Sequence, residues 1–121
     1  MTNTILLVED DKKISMALSL RLKSMGYLVD SAADAVYAMK AAVRCQPEVI
    51  LLDINLPGGS GFVVADRLRA SASLSSTPII FITASKDPAM RERASTYHDS
   101  RYLEKPFQAA QLVEAIDSLA H

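Results

Sequence analysis

The sequence predicts an α/β fold in which a doubly wound parallel sheet is covered by helices on both faces. Three short runs, at residues 5–8, 49–52 and 79–82, are wholly apolar and rich in Val, Ile and Leu, as strands buried on both sides are. Segments with apolar residues at helical spacing separate these runs, and this alternation is typical of parallel strands joined by right-handed crossovers. The 121 residues are enough for one domain with a sizeable core, and we predict a single domain over residues 1–121.

Three predicted strands and three predicted helices alternate through the first half of the chain. The strands cover residues 5–8, 27–29 and 49–53, and the helices cover residues 12–25, 35–43 and 62–68. Gly26 provides a stop for the first helix, and Asp34 can cap the second. In the second helix Val36, Met39 and Val43 have the spacing of a buried face.

Two strands and two helices follow in the second half. A Ser-rich loop over residues 69–77 leads to the strand at 79–82. Asp87 and Pro88 have the pattern of an N-cap followed by the first helical residue, so we predict a helix over 88–96. This helix offers little apolar surface, and we expect it to be the most mobile one. A weak strand at 101–103 precedes a final helix, whose cap Gln108 is poor and whose inward residues are Leu112, Val113, Ile116 and Leu119.

Composition excludes several classes of function. A net charge of -1 disfavours a general binder of nucleic acid or of acidic membranes, which would carry clustered Lys and Arg. The single cysteine, Cys45, excludes an internal disulfide and a Cys-based zinc site, and it is typical of a reducing compartment. No apolar run approaches the roughly 18 residues of a membrane span. We therefore predict a cytoplasmic protein with one local site.

Polar residues follow the predicted strands at one end. These residues are Glu9, Asp10, Asp53, Thr83 and Lys105. Because the carboxyl ends of parallel strands meet at one rim of a sheet, we expect them to lie together. Three carboxylates cannot share a pocket without a cation, and Lys105 supplies one positive charge. A hard divalent ion such as Mg²⁺ fits the remaining negative charge, with the carbonyl of Asn55 as a further oxygen ligand.

Four motifs occur in order at these strand ends. They are ILLVEDD at residues 5–11, LLDINLPGGSG at 51–61, Thr-Ala at 83–84 and Lys-Pro-Phe at 105–107. Through them the chain closely resembles, over almost its whole length, the receiver domains of bacterial two-component response regulators. The resemblance implies a five-stranded parallel sheet of order 2-1-3-4-5 in a flavodoxin-like, three-layer sandwich.

The resemblance also implies a role for each site residue. Asp53 would be the phosphoacceptor, and Thr83 and Lys105 would hold the oxygens of its phosphoryl group. The metal ion, Mg²⁺ or Mn²⁺, would be bound directly by Asp10, with Glu9 nearby or acting through water. Asp53 and the backbone carbonyl of Asn55 would complete the protein ligands, while Asp11 would cap a helix or lie in the outer shell.

Phosphorylation would act as a switch. Drawn toward the phosphoryl group, Thr83 would open space into which Tyr102 can turn. The face that then changes comprises residues 88–96, 101–103 and 109–119. By the same resemblance the chain is a phosphoacceptor switch rather than an enzyme, although it assists its own phosphorylation and dephosphorylation. Since neither Asn55 nor Ser85 is a strong base, we expect slow or moderate self-dephosphorylation.

The expected partners follow from the resemblance as well. The phosphoryl donor would be a sensor histidine kinase or a histidine phosphotransfer protein. Output would pass to a downstream protein partner or effector domain, or through a phosphorylation-linked homodimer, without direct contact to nucleic acid or membrane. The sequence ends at His121, and we expect no effector domain within it.

One segment departs from the family pattern. The turn before the last strand commonly reads Ala-Gly-Ala-Asp-Asp, whereas residues 97–101 read Tyr-His-Asp-Ser-Arg. His98 therefore replaces a glycine, and we expect the loop to be strained or rebuilt. Both His98 and His121 are expected at the surface, since an ionised Asp53 needs no general base.

Three alternatives remain open from the residues alone. A phosphohydrolase with an aspartyl-phosphate intermediate also needs Mg²⁺, but it normally has a second acid two residues on, where this chain has Asn55. A flavodoxin-like nucleotide binder should have Gly, Ser or Thr after the first strand, where this chain has Glu9, Asp10 and Asp11. The third alternative is an α/β domain whose acids are merely solvated.

Overall fold

A five-stranded parallel sheet forms the centre of the fold in the computed structural model, which describes residues 3–119. In chain order the strands are β1 (Thr4–Val8), β2 (Leu28–Ala32), β3 (Val49–Asp53), β4 (Asn55–Leu56), β5 (Gly59–Ser60), β6 (Ile79–Thr83) and β7 (Ser100–Glu104). The helices are α1 (Lys12–Ser24), α2 (Ala35–Cys45), α3 (Gly61–Ala70), α4 (Pro88–Ala94) and α5 (Ala109–Leu119). Strands β4 and β5 pair as a separate antiparallel hairpin, and the other five pair in the order β2-β1-β3-β6-β7. Counted within the sheet, this is the predicted order 2-1-3-4-5.

The apolar strands fill two cores, one on each face of the sheet. Alternate side chains of a strand point to opposite faces, so Leu6 and Val8 pack toward α2, α3 and α4, whereas Ile5 and Leu7 pack toward α1 and α5. Strands β3 and β6 divide their side chains in the same way. The predicted three-layer sandwich is therefore confirmed, and its rigid sheet sets the positions of the strand ends.

The prediction for the buried face of α2 was wrong. Val36 and Val43 are 56% and 58% exposed, and Met39 is only partly buried. The face that packs on the sheet consists of the alanines Ala35, Ala38, Ala41 and Ala42. Small side chains let this helix lie close to the strands, so the larger apolar residues are left on its outer side.

Several element boundaries also differ from prediction. Strand β2 lies further along the chain than residues 27–29, and α3 includes residues 69–70, which were predicted as loop. The loop that follows buries Leu74 in the core. Helix α4 ends at Ala94 rather than at residue 96. Its greater mobility stays a prediction.

Side chains of acidic residues begin three helices as predicted. Asp11, Asp34 and Asp87 accept hydrogen bonds from backbone N–H groups in the first turns of α1, α2 and α4. At α5 the side chain of Gln111 instead accepts from the backbone N–H of Gln108 (2.8 Å). This contact compensates for the poor capping side chain of Gln108.

The turn before β7 has a positive φ at Asp99. Among residues 3–119, the non-glycine residues with positive φ are Gln46 and Asp99, and Asp99 has φ of 50°. Aspartate enters this left-handed region more readily than most residues. Arg69 of α3 donates to the carbonyl oxygens of Thr77 (2.7 Å) and His98 (2.6 Å). The positive φ of this turn therefore falls on Asp99 and not on His98, and a strained or rebuilt loop stays a prediction.

Gly61 lies where a side chain has no room. A Cβ atom at this position would lie 2.3 Å from the carbonyl oxygen of Asp53 and 2.9 Å from Cα of Ile54. The backbone N–H of Gly61 also donates to the carbonyl of Ile54 (2.7 Å). The start of α3 is therefore packed directly against the end of β3.

We expect Gly61→Ala to lower the free energy of unfolding by about 1–3 kcal/mol, because the backbone at the end of β3 must shift to admit the methyl group. Urea unfolding measures this change. Arg67→Ala, on the exposed side of the same helix, should change stability by no more than about 0.5 kcal/mol. Equal stability of Gly61→Ala and the unmodified chain would contradict the tight contact.

Candidate functional site

Three carboxylates converge where β1 and β3 end. Glu9 directly follows β1, Asp53 is the last residue of β3, and both are buried. Asp10 is exposed beside them. One oxygen from each of the three carboxyl groups lies within 4.8 Å of the others. The convergence predicted from the sequence is therefore present.

Lys105 joins two of these carboxylates. Its Nζ donates a hydrogen bond to Glu9 Oε1 and another to Asp53 Oδ2, the latter at 2.8 Å. The other oxygens of the two carboxyl groups accept from backbone N–H groups, Glu9 from that of Asp11 (3.2 Å) and Asp53 from that of Asn55 (2.9 Å). Both buried carboxyl groups are thus held in fixed orientations.

The surroundings of Glu9 and Lys105 shift the pKa values of both side chains. The pKa of Glu9 is raised from its ordinary 4.5 to about 7. Burial is the largest cause and the neighbouring Asp53 adds to it, while the hydrogen bond from Lys105 acts in the opposite direction. Burial alone would lower the pKa of Lys105, but its bonds to Asp53 and Glu9 outweigh burial and raise it. Without a metal ion, the carboxyl group of Glu9 is therefore mainly protonated below about pH 7.

The oxygen atoms of this pocket suit a hard divalent cation. When all three acids are ionised, the ammonium group of Lys105 balances one of the three negative charges. Mg²⁺ prefers one or two carboxylates with several water molecules, and the exposed side of Asp10 leaves access to solvent. Glu9, Asp10 and Asp53 could therefore hold such an ion.

Thr83 ends the neighbouring strand β6 and is fully buried. Its Oγ1 accepts a hydrogen bond from the backbone N–H of Ser85 (3.0 Å) and a long one from the side-chain amide of Asn55 (3.5 Å). The backbone N–H of Lys105 donates to the carbonyl oxygen of Thr83 (2.7 Å). These bonds connect the ends of β3, β6 and β7.

Tyr102 is partly exposed on β7, under a basic side chain from α4. The guanidinium of Arg91 lies 4.5 Å from the centre of the Tyr102 ring. The same guanidinium is 3.6 Å from Glu104, which also lies 3.6 Å from Lys86. The stacking of Arg91 on Tyr102 could not be predicted from the sequence, because the contact depends on how α4 packs against β7.

Two other residues considered from the sequence add no side chain to the carboxylate cluster. Asp11 caps α1 through hydrogen bonds from the backbone N–H groups of Lys13 and Ile14, one of its two expected roles. His98 is exposed, as predicted, and its ring is 3.3 Å from Asp99. His121 lies outside the described residues.

With this geometry established, comparison with known proteins identifies the family. Residues 5–117 match the response regulator receiver domain. The chain belongs to this family. Receiver domains are the phosphoacceptor signalling domains of two-component response regulators, and this family function decides against the phosphohydrolase, the nucleotide binder and the merely solvated acids.

Relatives agree in sequence and in structure. The receiver chain is 32% identical over 115 residues to the DNA-binding dual master transcriptional regulator RpaA of Synechocystis sp., covering 95% of this chain and 48% of RpaA. The receiver domain of sensor histidine kinase PA1611 from Pseudomonas aeruginosa, solved with magnesium in its active site cleft, is 32% identical with a TM-score of 0.89 over 99% of this chain and 98% of that one. Chemotaxis response regulator CheY4 of Vibrio cholerae is 27% identical, with a TM-score of 0.88 over 98% of this chain and 99% of that one.

The receiver chain spans about half the length of the curated relatives that it matches. Within residues 3–119, none of the helices has the length and apolar character needed to cross a bilayer.

The raised pKa of Glu9 gives a direct prediction. Without divalent ions, the side-chain carboxyl carbon of Glu9 should titrate with a midpoint near pH 7 in NMR spectra. Since the unfolded chain releases this proton near pH 4.5, the contribution of Glu9 to folding stability should be largest below that pH and should fall as the pH rises toward 7. Glu9→Gln should remove this part of the fall, and a midpoint near 4.5 would contradict the burial argument.

Proposed function

We propose that Asp53 is the residue that accepts the phosphoryl group in this receiver domain, which we take to cover residues 1–121. The observation that carries the proposal is the environment of its carboxyl group, buried at the end of β3 and bonded to Lys105 and to the Asn55 N–H. These contacts hold both oxygens of the Asp53 carboxyl group in place, and one of them lies within 4.8 Å of carboxylate oxygens of Glu9 and Asp10.

In the proposed reaction an Asp53 oxygen attacks the phosphorus atom of the donor in line with the leaving group. The bond from phosphorus to the imidazole nitrogen of a phosphohistidine breaks, and its electron pair leaves with the imidazole. The product is an acyl phosphate on Asp53. No general base is needed, because the attacking carboxylate carries no proton.

We propose that Mg²⁺ or Mn²⁺ is held by Asp10 and Asp53 directly, by the backbone carbonyl of Asn55, and by Glu9 nearby or through water. When bound, the ion would neutralise negative charge on the transferring phosphoryl group. The family, the oxygen-rich pocket and the magnesium in the PA1611 receiver support this assignment.

Lys105 and Thr83 are proposed to hold the other phosphoryl oxygens. The Lys105 ammonium already lies 2.8 Å from an Asp53 oxygen, so a phosphoryl group on Asp53 would come within its reach. The hydrogen bonds to Thr83 from Ser85 and Asn55 use the acceptor lone pairs of its hydroxyl. The hydroxyl proton can then be donated to a phosphoryl oxygen.

The proposed donor is a sensor histidine kinase or a histidine phosphotransfer protein, acting in the cytoplasm. Output is proposed to pass to a downstream protein partner or effector domain, or to a homodimer that forms on phosphorylation. The chain would then act as a switch without substrate turnover, and without itself contacting nucleic acid or membrane. The chain matches about half the length of longer transcriptional regulators such as RpaA. This supports an output that is carried by a separate domain or protein.

Thr83 and Tyr102 are proposed as the switch residues. Movement of the Thr83 hydroxyl toward the phosphoryl group would free space for Tyr102, and an inward turn would separate its ring from Arg91. The stack of a guanidinium on a partly exposed ring is worth only about 0.5–1 kcal/mol, so phosphorylation could break it. Helix α4 and strand β7 would change together.

Acetyl phosphate with Mg²⁺ should add the mass of one phosphoryl group to the unmodified chain and none to Asp53→Asn, because the amide is not a nucleophilic anion. Intact-mass spectrometry and peptide mapping measure the change and its position. Asp117→Asn, an equivalent change on the exposed side of α5, should leave labelling intact, and a chelator should abolish it. An unchanged mass with metal present, or a label on another residue, would refute the proposal.

Beryllofluoride, a mimic of the phosphoryl group, should change NMR shifts at Asp53, Thr83, Tyr102 and Arg91 when Mg²⁺ is present. Rotation of the Tyr102 ring alters the magnetic environment of the guanidinium stacked on it. In Thr83→Ala the changes should stay near the acidic pocket. Shifts confined to the pocket in the unmodified chain, or transmitted to α1 instead, would show that the switch is assigned to the wrong face.

A further inference from the structure

Tyr97 occupies a position where the family pattern commonly has alanine. It lies just beyond the C-terminal end of α4, which ends at Ala94, and its side chain is partly buried. Its backbone N–H donates to the carbonyl oxygen of Ala94 (3.2 Å), which ties it to the last turn of the helix. A tyrosine ring here makes contacts that the methyl group of alanine cannot, and the proposed phosphotransfer makes no use of them.

The Tyr97 ring packs against both α3 and β6. It is nearly parallel to the ring of Phe62 in α3, with 7° between the planes and 6.0 Å between the ring centres. Its centre lies 5.3 Å from that of Phe81 in β6. Phe62 and Phe81 are buried and in contact with each other, with centres 5.3 Å apart. Aromatic pairs at such distances stabilise a contact beyond the area that they bury, so the three rings join the C-terminal end of α4 to the core.

Polar groups add to the same connection. The Tyr97 hydroxyl donates a hydrogen bond to Asp66 Oδ1 of α3 (2.5 Å). Burial and, after it, this hydrogen bond raise the pKa of Tyr97, so the hydroxyl stays protonated at neutral pH. The guanidinium of Arg93, in the last turn of α4, lies 4.4 Å from the centre of the Phe62 ring and 3.9 Å from the other oxygen of Asp66. Helix α3 therefore holds this end of α4 through Phe62 and Asp66.

The N-terminal end of α4 is held less firmly. Pro88 and Ala89 are exposed, and Met90 is only partly buried. Arg91 is exposed as well, and its 3.6 Å contact with Glu104 is an ion pair of the kind that contributes little in solvent. Ala94, at the other end, is only 2% exposed. The two ends of this short helix are thus fixed unequally.

The loosely held end is the one nearer the candidate site. Thr83 ends β6, and the chain then reaches the start of α4 at Pro88, whereas Tyr97 lies beyond the far end of the helix. A displacement of Thr83 toward a phosphoryl group therefore acts first on the N-terminal end of α4. The contacts of Tyr97 resist movement of the opposite end.

We propose that Tyr97, with Asp66 and Arg93, anchors the C-terminal end of α4 to α3 while switching moves the N-terminal end. Helix α4 then pivots about Ala94 and does not shift as a whole. This rests on the proposed function, since the movement is driven from Thr83. Tyr97 is a positioning residue that limits the movement, and it takes no part in the reaction at Asp53.

Distances between paired spin labels, measured by electron paramagnetic resonance, test the pivot. All variants carry Cys45→Ala, which removes the single cysteine. One label is attached at Lys40→Cys on α2, and the second either at Ala89→Cys near the start of α4 or at Ser95→Cys at its C-cap. All three positions are exposed. With Mg²⁺ and beryllofluoride the distance from position 40 to position 89 should change, whereas the distance to position 95 should not.

Tyr97→Ala introduces the residue common in the family and should release the anchored end. The distribution of distances from position 40 to position 95 should broaden before beryllofluoride is added, and its mean should shift once beryllofluoride binds. In the chain without labels, the Ser95 N–H donates to the carbonyl oxygen of Arg91 (3.0 Å). Hydrogen exchange of this N–H should become about three- to tenfold faster, the factor that corresponds to losing an aromatic pair.

Three further variants separate the anchor from a general loss of stability. Tyr97→Phe and Asp66→Asn keep all three rings and should give smaller changes in the same direction. Tyr27→Ala is the matched control, because Tyr27 is also a partly buried tyrosine but packs into the core on the opposite face of the sheet. It should leave the distances to position 95 as they are in the unmodified chain.

Several results would overturn the proposal. Equal movement of positions 89 and 95 in the chain with Tyr97 would exclude a pivot. An unchanged distribution at position 95 in Tyr97→Ala, or equal broadening in Tyr27→Ala, would remove the anchoring role of Tyr97. If beryllofluoride binds at Asp53 and neither distance changes, the moving end is wrong. Failure of beryllofluoride to bind at Asp53 would instead refute the proposed function, and the broadening without beryllofluoride tests the anchor separately.

Discussion

The bonds from one ammonium group, that of Lys105, to two buried carboxylates are the interaction on which the site depends. They connect the end of β1, through Glu9, to the ends of β3 and β7. Within residues 3–119 this pocket gathers three carboxylates around that one ammonium, so its negative charge is only partly balanced. Burial, and to a smaller extent the neighbouring Asp53, makes a negative charge on Glu9 costly, and the raised pKa of Glu9 expresses this cost.

The sheet makes this arrangement possible. Strands β1, β3 and β6 are apolar and covered on both faces, so their ends cannot move apart without opening two cores. Close packing of Gly61 on Asp53 fixes the end of β3 from outside the sheet. Residues far apart in sequence, such as Glu9 and Lys105, therefore meet at one rim, where a charged pocket is supported by rigid apolar strands.

Much of the fold and of the pocket could be predicted from sequence because both depend on strong local patterns. A wholly apolar run that ends in Asp53 predicts a buried strand with an acid at its tip, and parallel order then brings Glu9 and Lys105 to it. Side-chain packing was less predictable. The buried face of α2 was misassigned because apolar periodicity gives weight to large residues such as Val36, whereas close approach to the sheet favours alanine. The turn at Asp99 and the stacking of Arg91 on Tyr102 depend on contacts between distant elements, which no local pattern contains.

The most direct test of the account is a crystal structure of the chain with Mg²⁺ and beryllofluoride. Such a structure would show whether the incompletely neutralised pocket at Asp53 receives a cation together with a phosphoryl group. We predict that beryllium will be bonded to an Asp53 oxygen, that Mg²⁺ will lie beside Asp10 and Asp53, and that Lys105 will contact a fluorine. Beryllofluoride on another residue, or a metal ion bound away from the three carboxylates, would contradict it.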